Sequence, residues 1–381
     1  MDFSWSKEAL QLKKETIEFA QKSLTGDVID LDRREVFNYA DWKKCAEFGI
    51  HGLRMPERYG GRGLDILSTM LALEGLGYGC KDNGLMFAMN AQMWACQEPL
   101  LTFGTEEQKE KYLPKLCRGE WVGGHAASEP AAGSDVYALE ATARREGDVY
   151  ILNGHKIYIT NGPVSDLLII FANVDKEMRK QGISAFMVEK DAKGLTMNGP
   201  ISKMGMRTTM MGELFIENCE VPVEDRLGKE GAGLAIFAHG MEWERGFILA
   251  YVVGVMERLL EQSTRFAKQR KQFGQPISKF QLVTEKLVAM KMRLEASKSA
   301  LYKLAWLKQN NRSIFMEAAM TKLAISEAWV ASCMDAAQIH GALGYLTEPE
   351  IERGLRDAIG SKVYSGTSEI QQLIIAQFMG L

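Results

Sequence analysis

Histidine and cysteine are scarce in this 381-residue chain, five and six copies respectively. The cysteines (45, 80, 96, 117, 219 and 333) never fall in CxxC spacing, and no HExxH occurs. Neither a metal site nor a disulfide framework is expected; reduced, buried thiols in a cytoplasmic protein fit this usage better. An excess of one charge is also missing. Lys and Arg number 46 against 49 Asp and Glu, for a net charge of −3. The basic footprint of a nucleic-acid binder is therefore absent. No apolar run approaches the ~18 residues that a membrane span requires. The start, Met1-Asp-Phe-Ser-Trp-Ser-Lys7, lacks a basic segment followed by an apolar one, so no leader is expected. The glycine-rich stretch Pro56-Glu-Arg-Tyr-Gly-Gly-Arg-Gly63 has no GK[ST]. It reads as a tight connection, not a phosphate loop.

What the chain does have is size and apolar content: 46% of residues are hydrophobic, enough for more than one core. The first 120 residues read as helices. Ser6 can cap one, Thr105-Glu-Glu-Gln108 has the spacing of a capping box, and residues 83–101 carry a Met/aromatic stripe that includes Met89. From Trp121 the texture changes. Val149-Tyr-Ile-Leu and Lys156-Ile-Tyr-Ile flank Asn153-Gly154, which reads as a hairpin, and further strands are expected near 167–174, 184–188, 195–198 and 213–217. Beyond Gly231 the pattern is helical again. A long run covers 233–270, Ser278-Lys-Phe-Gln281 has capping-box spacing for the next helix, and Gly341 is a helix stop. The fold class is α+β, with an N-terminal helical domain (1–120), a middle antiparallel β domain (121–230) and a C-terminal four-helix bundle (231–381).

One stretch within that bundle stands out. Gly240-Met-Glu-Trp-Glu-Arg-Gly-Phe-Ile-Leu-Ala250 sets two carboxylates and an arginine among large apolar groups. Helical spacing puts Glu244 on the face of Gly240 and the 247/248 pair, with Glu242 pointing elsewhere. A carboxylate drawn into an apolar face is costly unless paired or protonated. Glu244 is thus either a solvated helix residue bonded to a nearby arginine or a general base of raised pKa.

Short motifs bear on that choice. Ser128-Glu-Pro-Ala-Ala-Gly-Ser-Asp135, Lys156-Ile-Tyr-Ile-Thr-Asn-Gly162 and Lys203-Met-Gly-Met-Arg-Thr-Thr-Met-Met-Gly-Glu-Leu214 lie in the β region. Arg270-Lys-Gln-Phe-Gly274, Phe280-Gln281, Gln338-Ile-His-Gly341, Arg356-Asp357 and Tyr364-Ser-Gly-Thr-Ser-Glu-Ile-Gln371 follow in the bundle. In this order they resemble the acyl-CoA dehydrogenase family over essentially the whole chain. The resemblance implies FAD held between the β domain and the bundle, in a homo-oligomer expected to be a tetramer. It places Ala127, Ser128, Gly133, Ser134, Tyr158 and Thr160 at the flavin, with Gln338, Thr367 and Glu369. Arg270, Phe273 and Gln281 are implied to reach the FAD of a neighbouring subunit.

The family's reaction removes a proton α to a thioester carbonyl and passes a hydride to the flavin, so it needs a carboxylate base. Many members keep that Glu before the Gly-Thr near the C-terminus, where this chain has Ser365. A minority carries it in the helix opening the bundle, where Glu244 matches; Glu369 is the rival. Such a Glu244 should line the largest pocket. Arg245, Met89 and Ser365 are expected around the substrate. Met241-Glu-Trp-Glu-Arg245, Gly254 to Gln262, Lys322 to Glu327 and Tyr364-Ser-Gly-Thr-Ser368 are similar to the prolyl-carrier-protein dehydrogenases and oxidases within the family, the anatoxin-a type above all. That likeness implies a partner, an acyl or peptidyl carrier protein bearing a prolyl thioester, and either oxygen or an electron-transfer flavoprotein as electron acceptor. The alternatives are a short-chain acyl-CoA dehydrogenase, a flavin hydroxylase or oxidase on the same fold, and a helical interaction protein without catalysis.

Overall fold

The computed structural model describes residues 4–348 and 350–381; residues 1–3 of the N-terminal stretch read above lie outside them. Helices come first: α1 (Lys7–Ser23), α2 (Val28–Arg34), α3 (Tyr39–Phe48), α4 (Ile66–Gly79), α5 (Asn83–Ala91), α6 (Glu98–Phe103) and α7 (Glu106–Cys117). Ser6 caps α1 by accepting from the Ala9 amide, and the Thr105/Gln108 capping box opens α7 as its spacing predicts. Between α5 and α6 the chain does not leave the helix. It widens into a π-helical stretch over Gln92–Gln97, an irregularity that often marks a functional region.

The strands are β1 (Gly123–Ala126), β2 (Thr142–Glu146), β3 (Val149–Thr160), β4 (Leu167–Asn173), β5 (Ile183–Glu189), β6 (Leu195–Asn198), β7 (Met211–Pro222) and β8 (Arg226–Leu227). They form one sheet in the order β6-β7-β3-β2-β4-β5-β8, with β1 also on β4. Most pairs are antiparallel, but β1–β4 and the single β2–β4 pair are parallel. Asn153-Gly154 is not the hairpin turn its sequence suggests. β3 runs straight through it with a register shift against β7, and the turn that joins β2 to β3 lies at Gly147, φ 62°. The reason is local packing: a Cβ at Gly154 would sit 2.6 Å from that of Ala141. The Asn153 side chain meanwhile accepts from the Asn218 amide on β7, 2.8 Å.

The C-terminal helices are α8 (Gly233–Phe247), α9 (Val252–Gln269), α10 (Gln281–Gln309), α11 (Phe315–His340), α12 (Glu350–Gly360) and α13 (Ser368–Met379), with a two-stranded ribbon, β9 (Lys271–Gln272) and β10 (Gln275–Pro276), after α9. The single run expected over 233–270 is two helices. Their junction tightens to i→i−3 bonds at Ala250, Val252 and Gly254, and Phe247 to Val253 are wholly buried there. This junction crosses α4 backbone to backbone: a Cβ at Gly77 would fall 1.8 Å from the Tyr251 carbonyl oxygen, and one at Gly254 1.9 Å from that of Glu74. The Ser278/Gln281 capping box does not form. Phe280 is the N-cap without a side-chain bond, and Thr284 Oγ1 donates back to the Ser278 carbonyl at 2.9 Å. Gly341 does end α11, at φ 60°.

Two apolar cores result, one among the helices and one under the sheet. Polar motifs join them. Asp357 accepts from the Met206 amide (2.6 Å) and from Asn83 Nδ2 (2.9 Å), and burial pushes its carboxyl up to about 6. Arg356 Nη2 meets Asp32 at 2.8 Å, and its Nη1 meets the Met204 carbonyl at 2.9 Å. The Arg356-Asp357 and Lys203–Leu214 motifs therefore seat the β region's 203–210 loop on α12 and α5. No helix of the described residues is long and apolar enough to cross a membrane.

Candidate active site

Glu244 lies on α8 where that helix meets α11 and the turn between α12 and α13. Its neighbours Glu242 and Trp243 turn the other way. Glu242 pairs with Lys308 (2.9 Å), and Trp243 is buried between the Arg54 and Lys308 cations, 4.4 and 4.7 Å from its ring centre. Trp243 also stacks on Trp94. This clamp fixes the roll of α8 and leaves Glu244 facing the opposite side.

The carboxylate keeps partial solvent access but has protein on most sides. Burial raises its pKa above the ordinary glutamate value, while the Ser365 hydroxyl, Arg245 and Lys322 pull it down. Ser365 Oγ donates to Glu244 Oε1. The two cations do not bond the carboxylate. Arg245 Nε donates to the Ser365 carbonyl at 3.3 Å, and Lys322 Nζ to the Gly366 carbonyl at 2.7 Å. Lys322 is wholly buried on α11, and burial together with Arg245 lowers it to about 8. Tyr364 packs its ring on Phe87 at 4.3 Å. A raised carboxylate with one hydroxyl donor and partial solvent access can accept a proton from carbon at neutral pH.

The β region meets this place through Tyr137, which lies within electrostatic reach of Arg245. The 127–134 turn before it is organised by a buried ion pair. Lys156, 0% exposed on β3, puts Nζ 2.7 Å from Glu129 and 3.2 Å from the Ala127 carbonyl; Glu129 also accepts the Ala141 amide at 3.0 Å. Ala127 is buried, Ser128 and Thr160 are half-buried, and Gly133 and Ser134 are exposed. Tyr158 sits at the β3 bulge with φ 59° and 61% of its surface exposed. A large ring held out from the sheet on strained backbone, beside a turn with open space around Gly133, suits a planar partner such as a flavin.

The remaining expected residues, Met89 of α5 aside, lie on the C-terminal helices and the β9–β10 ribbon. Thr367 caps α13 by accepting from the Ile370 amide, 3.3 Å. Glu369 is exposed in the first turn of α13 and does not contact Glu244. Gln338 is exposed on α11, and Arg270, Phe273 and Gln281 lie exposed around the β9–β10 ribbon, Phe273 to 94%. Met89 is wholly buried in the helical core, so it does not line an open substrate face. Grooves of about 580 and 240 Å³ run along α9, and Glu244 lines neither of these two. Tyr137, within electrostatic reach of Arg245, is 44% exposed. Lys322, Gln371 and Tyr137 were not among the sequence candidates. The signal for Lys322 was present, a lone cation in the buried stripe Ala318, Ile325 and Trp329.

Helices flanking a sheet, an exposed turn beside a projecting tyrosine ring and a carboxylate of raised pKa fit a flavin-dependent acyl-thioester dehydrogenase or oxidase, the class to which the relatives below belong. The chain belongs to the acyl-CoA dehydrogenase family, whose N-terminal, middle and C-terminal domains match residues 6–120, 124–219 and 231–380. It is 41% identical to an L-prolyl-[peptidyl-carrier protein] dehydrogenase of Pseudomonas fluorescens over 91% of both chains. It is 38% identical to one of Serratia sp. over 100% of this chain and 99% of the other. Among solved structures it is similar to the prolyl acyl carrier protein oxidase AnaB, with 62% identity, TM-score 0.98 and coverage of 99% of this chain and 100% of the other. It is also similar to PigA with FAD and proline, at 38% identity, TM-score 0.97 and full coverage of both.

Proposed function

We propose that this chain oxidises an L-prolyl thioester carried on an acyl or peptidyl carrier protein, in the making of a natural product, with FAD as cofactor and Glu244 as the base. The observation that carries the reading is a carboxylate of raised pKa beside Ser365, the position where many family members hold the base. Similarity to prolyl-carrier-protein dehydrogenases supports the substrate class.

Bound FAD supplies the hydride acceptor. Ala127, Ser128, Gly133, Ser134, Tyr158 and Thr160 form the wall that receives it, with Tyr158 offering a ring face and the hydroxyls offering donors. Thr367, Glu369 and Gln338 line the bundle side. Arg270, Phe273 and Gln281 serve the site of a neighbouring copy, which is why such groups stand exposed on one chain. The exposed apolar side chains Leu282, Val288 and Met292 of α10 and Leu373 of α13 support assembly into a homotetramer. Glu244 takes the α proton of the prolyl thioester, and Arg245 orients the turn beside it. With a hydride given up from the adjacent ring carbon to the bound acceptor, loss of the α proton would leave a pyrroline thioester, or a pyrrole thioester after a second two-electron oxidation; oxygen or an electron-transfer flavoprotein would be the final electron acceptor.

Anaerobic mixing with prolyl-carrier, prolyl-CoA and butyryl-CoA in separate reactions tests the substrate. Flavin bleaching by prolyl-carrier, and a tethered product lighter by two hydrogens, or by four once air is admitted to reoxidise the flavin, is the expected result. Bleaching by butyryl-CoA alone would replace this reading with a short-chain acyl-CoA dehydrogenase.

A further inference from the structure

The turn that carries Ser365 is held more firmly than a connection between two helices needs. Ser365 and Gly366 both have left-handed backbones, φ 57° and 91°. A serine there costs about 1 kcal/mol or more against glycine, and it persists only where its surroundings force it. Four donated bonds do so here. Gln371 Nε2 reaches the Ser365 and Gly366 carbonyls at 3.1 and 2.8 Å, Lys322 Nζ the Gly366 carbonyl at 2.7 Å, and Arg245 Nε the Ser365 carbonyl at 3.3 Å. Both cations near Glu244 thus spend donors on the turn's backbone and not on the carboxylate. The strained residue then delivers its hydroxyl to Oε1 of Glu244, and no other described side chain hydrogen-bonds that carboxyl group.

We propose that Ser365 is a positioning residue for the reaction: its hydroxyl locks the rotamer of the Glu244 carboxyl, leaving Oε2 to take the substrate proton, while Lys322, Gln371 and Arg245 fix the turn that presents it. The idea rests on Glu244 being the base. A glutamate has three rotatable side-chain bonds, and a base that wanders among rotamers loses the alignment that proton transfer from carbon needs. One donor to one oxygen fixes the carboxyl without neutralising it, which a cation bonded directly would do.

Other groups that face Glu244 enter the pH dependence. Arg245 stands on its own helix, Lys322 on α11 and Tyr364 on the turn, and Glu327 and Glu369 act on Lys322. They are unchanged in a variant at Ser365, so a difference between variants reports the hydroxyl. S365A and S365G both remove it, but Gly relieves the backbone strain and Ala does not. Both are expected to lower kcat for prolyl-carrier about tenfold with KM little changed, and to move the acid limb of the kcat profile to higher pH, because a donor to the ionised form has gone. A second readout needs no turnover. In infrared difference titration of the apoprotein against E244Q, the Glu244 carboxyl should protonate at higher pH in both variants.

A structural role for Ser365 predicts something else: Gly equal to or better than wild type, Ala worse, and no movement of either titration. That result would overturn the proposal. Failure of the base assignment looks different again. E244Q would then turn over at the wild-type rate whatever the Ser365 variants do.

Discussion

Two glutamates in this chain, Glu129 buried and Glu244 partly so, meet opposite fates. Glu129 is closed in: Lys156 Nζ stands 2.7 Å away, and backbone amides of the 140–141 segment occupy its oxygens. Glu244 receives one hydroxyl and has its two nearest cations turned toward backbone carbonyls. The first arrangement spends a carboxylate on shape, since its oxygens are taken up by the lysine and the backbone amides. The second holds a carboxylate in place while leaving it free to change protonation state. Both carboxylates are drawn away from water, and Glu129 the further, so burial by itself does not mark a catalytic group. What distinguishes them is how many donors the fold commits to the ionised form.

Breaking the closed pair should have the largest effect on stability. K156M leaves Glu129 buried without its cation, and E129Q leaves Lys156 so; each is expected to cost about 3–5 kcal/mol. Urea unfolding of the apoprotein reads this, and the loosened 127–134 turn should lower FAD retention in the same variants. A loss below 1 kcal/mol would mean that the pair is incidental.

The same experiment on Glu244 should have the opposite sign. Its pKa is raised in the fold by burial, so its contribution to stability is fully present below the ordinary glutamate range and is lost as pH rises through the folded value. E244Q is therefore expected to be more stable than wild type at neutral pH, by about 1 kcal/mol, the usual size when a functional group held against its preference is replaced. The advantage should shrink as pH falls toward the ordinary glutamate range. Thermal melts at pH 7.5 and pH 4 compare the two directly; an advantage that grows on acidification would contradict the assigned shift.

Tyr158 offers the smallest stability change. It is 61% exposed, so Y158A should alter unfolding free energy by no more than about 0.5 kcal/mol. Its effect belongs to the cofactor: weaker FAD binding by equilibrium titration, with unfolding of the apoprotein unchanged.

The sequence exposed Glu244 through a vacancy, the serine at 365, and that reasoning depended on family likeness. It did not expose the closed pair, although a sign was there. Lys156 falls in the inward register of β3 with Tyr150 and Leu152, where a lone charge demands a partner, but the partner lies 27 residues away in sequence. Local signals misled where tertiary contact outweighed them. Asn153-Gly154 has the composition of a turn but is spanned by a strand, because Gly154 is needed for space against Ala141. Ser278 and Gln281 have capping-box spacing, yet Phe280 takes the cap position. The split between α8 and α9 had no clear signal in an unbroken apolar run; it follows from the close crossing with α4 at Gly77. Which residues the chain brings together was legible for Glu244, Arg245 and Ser365, whereas Arg270, Phe273 and Gln281 stand exposed around the β9–β10 ribbon.

The account stands most directly on one measurement: single-turnover flavin reduction by prolyl-carrier under anaerobic conditions, wild type against E244Q, each reconstituted to the same FAD content. Reduction in wild type with a loss of about 10²–10⁴-fold in E244Q is the predicted outcome, the usual worth of a positioned general base. Equal rates of bleaching in the two proteins would contradict it and return Glu244 to the role of a partly buried helix residue.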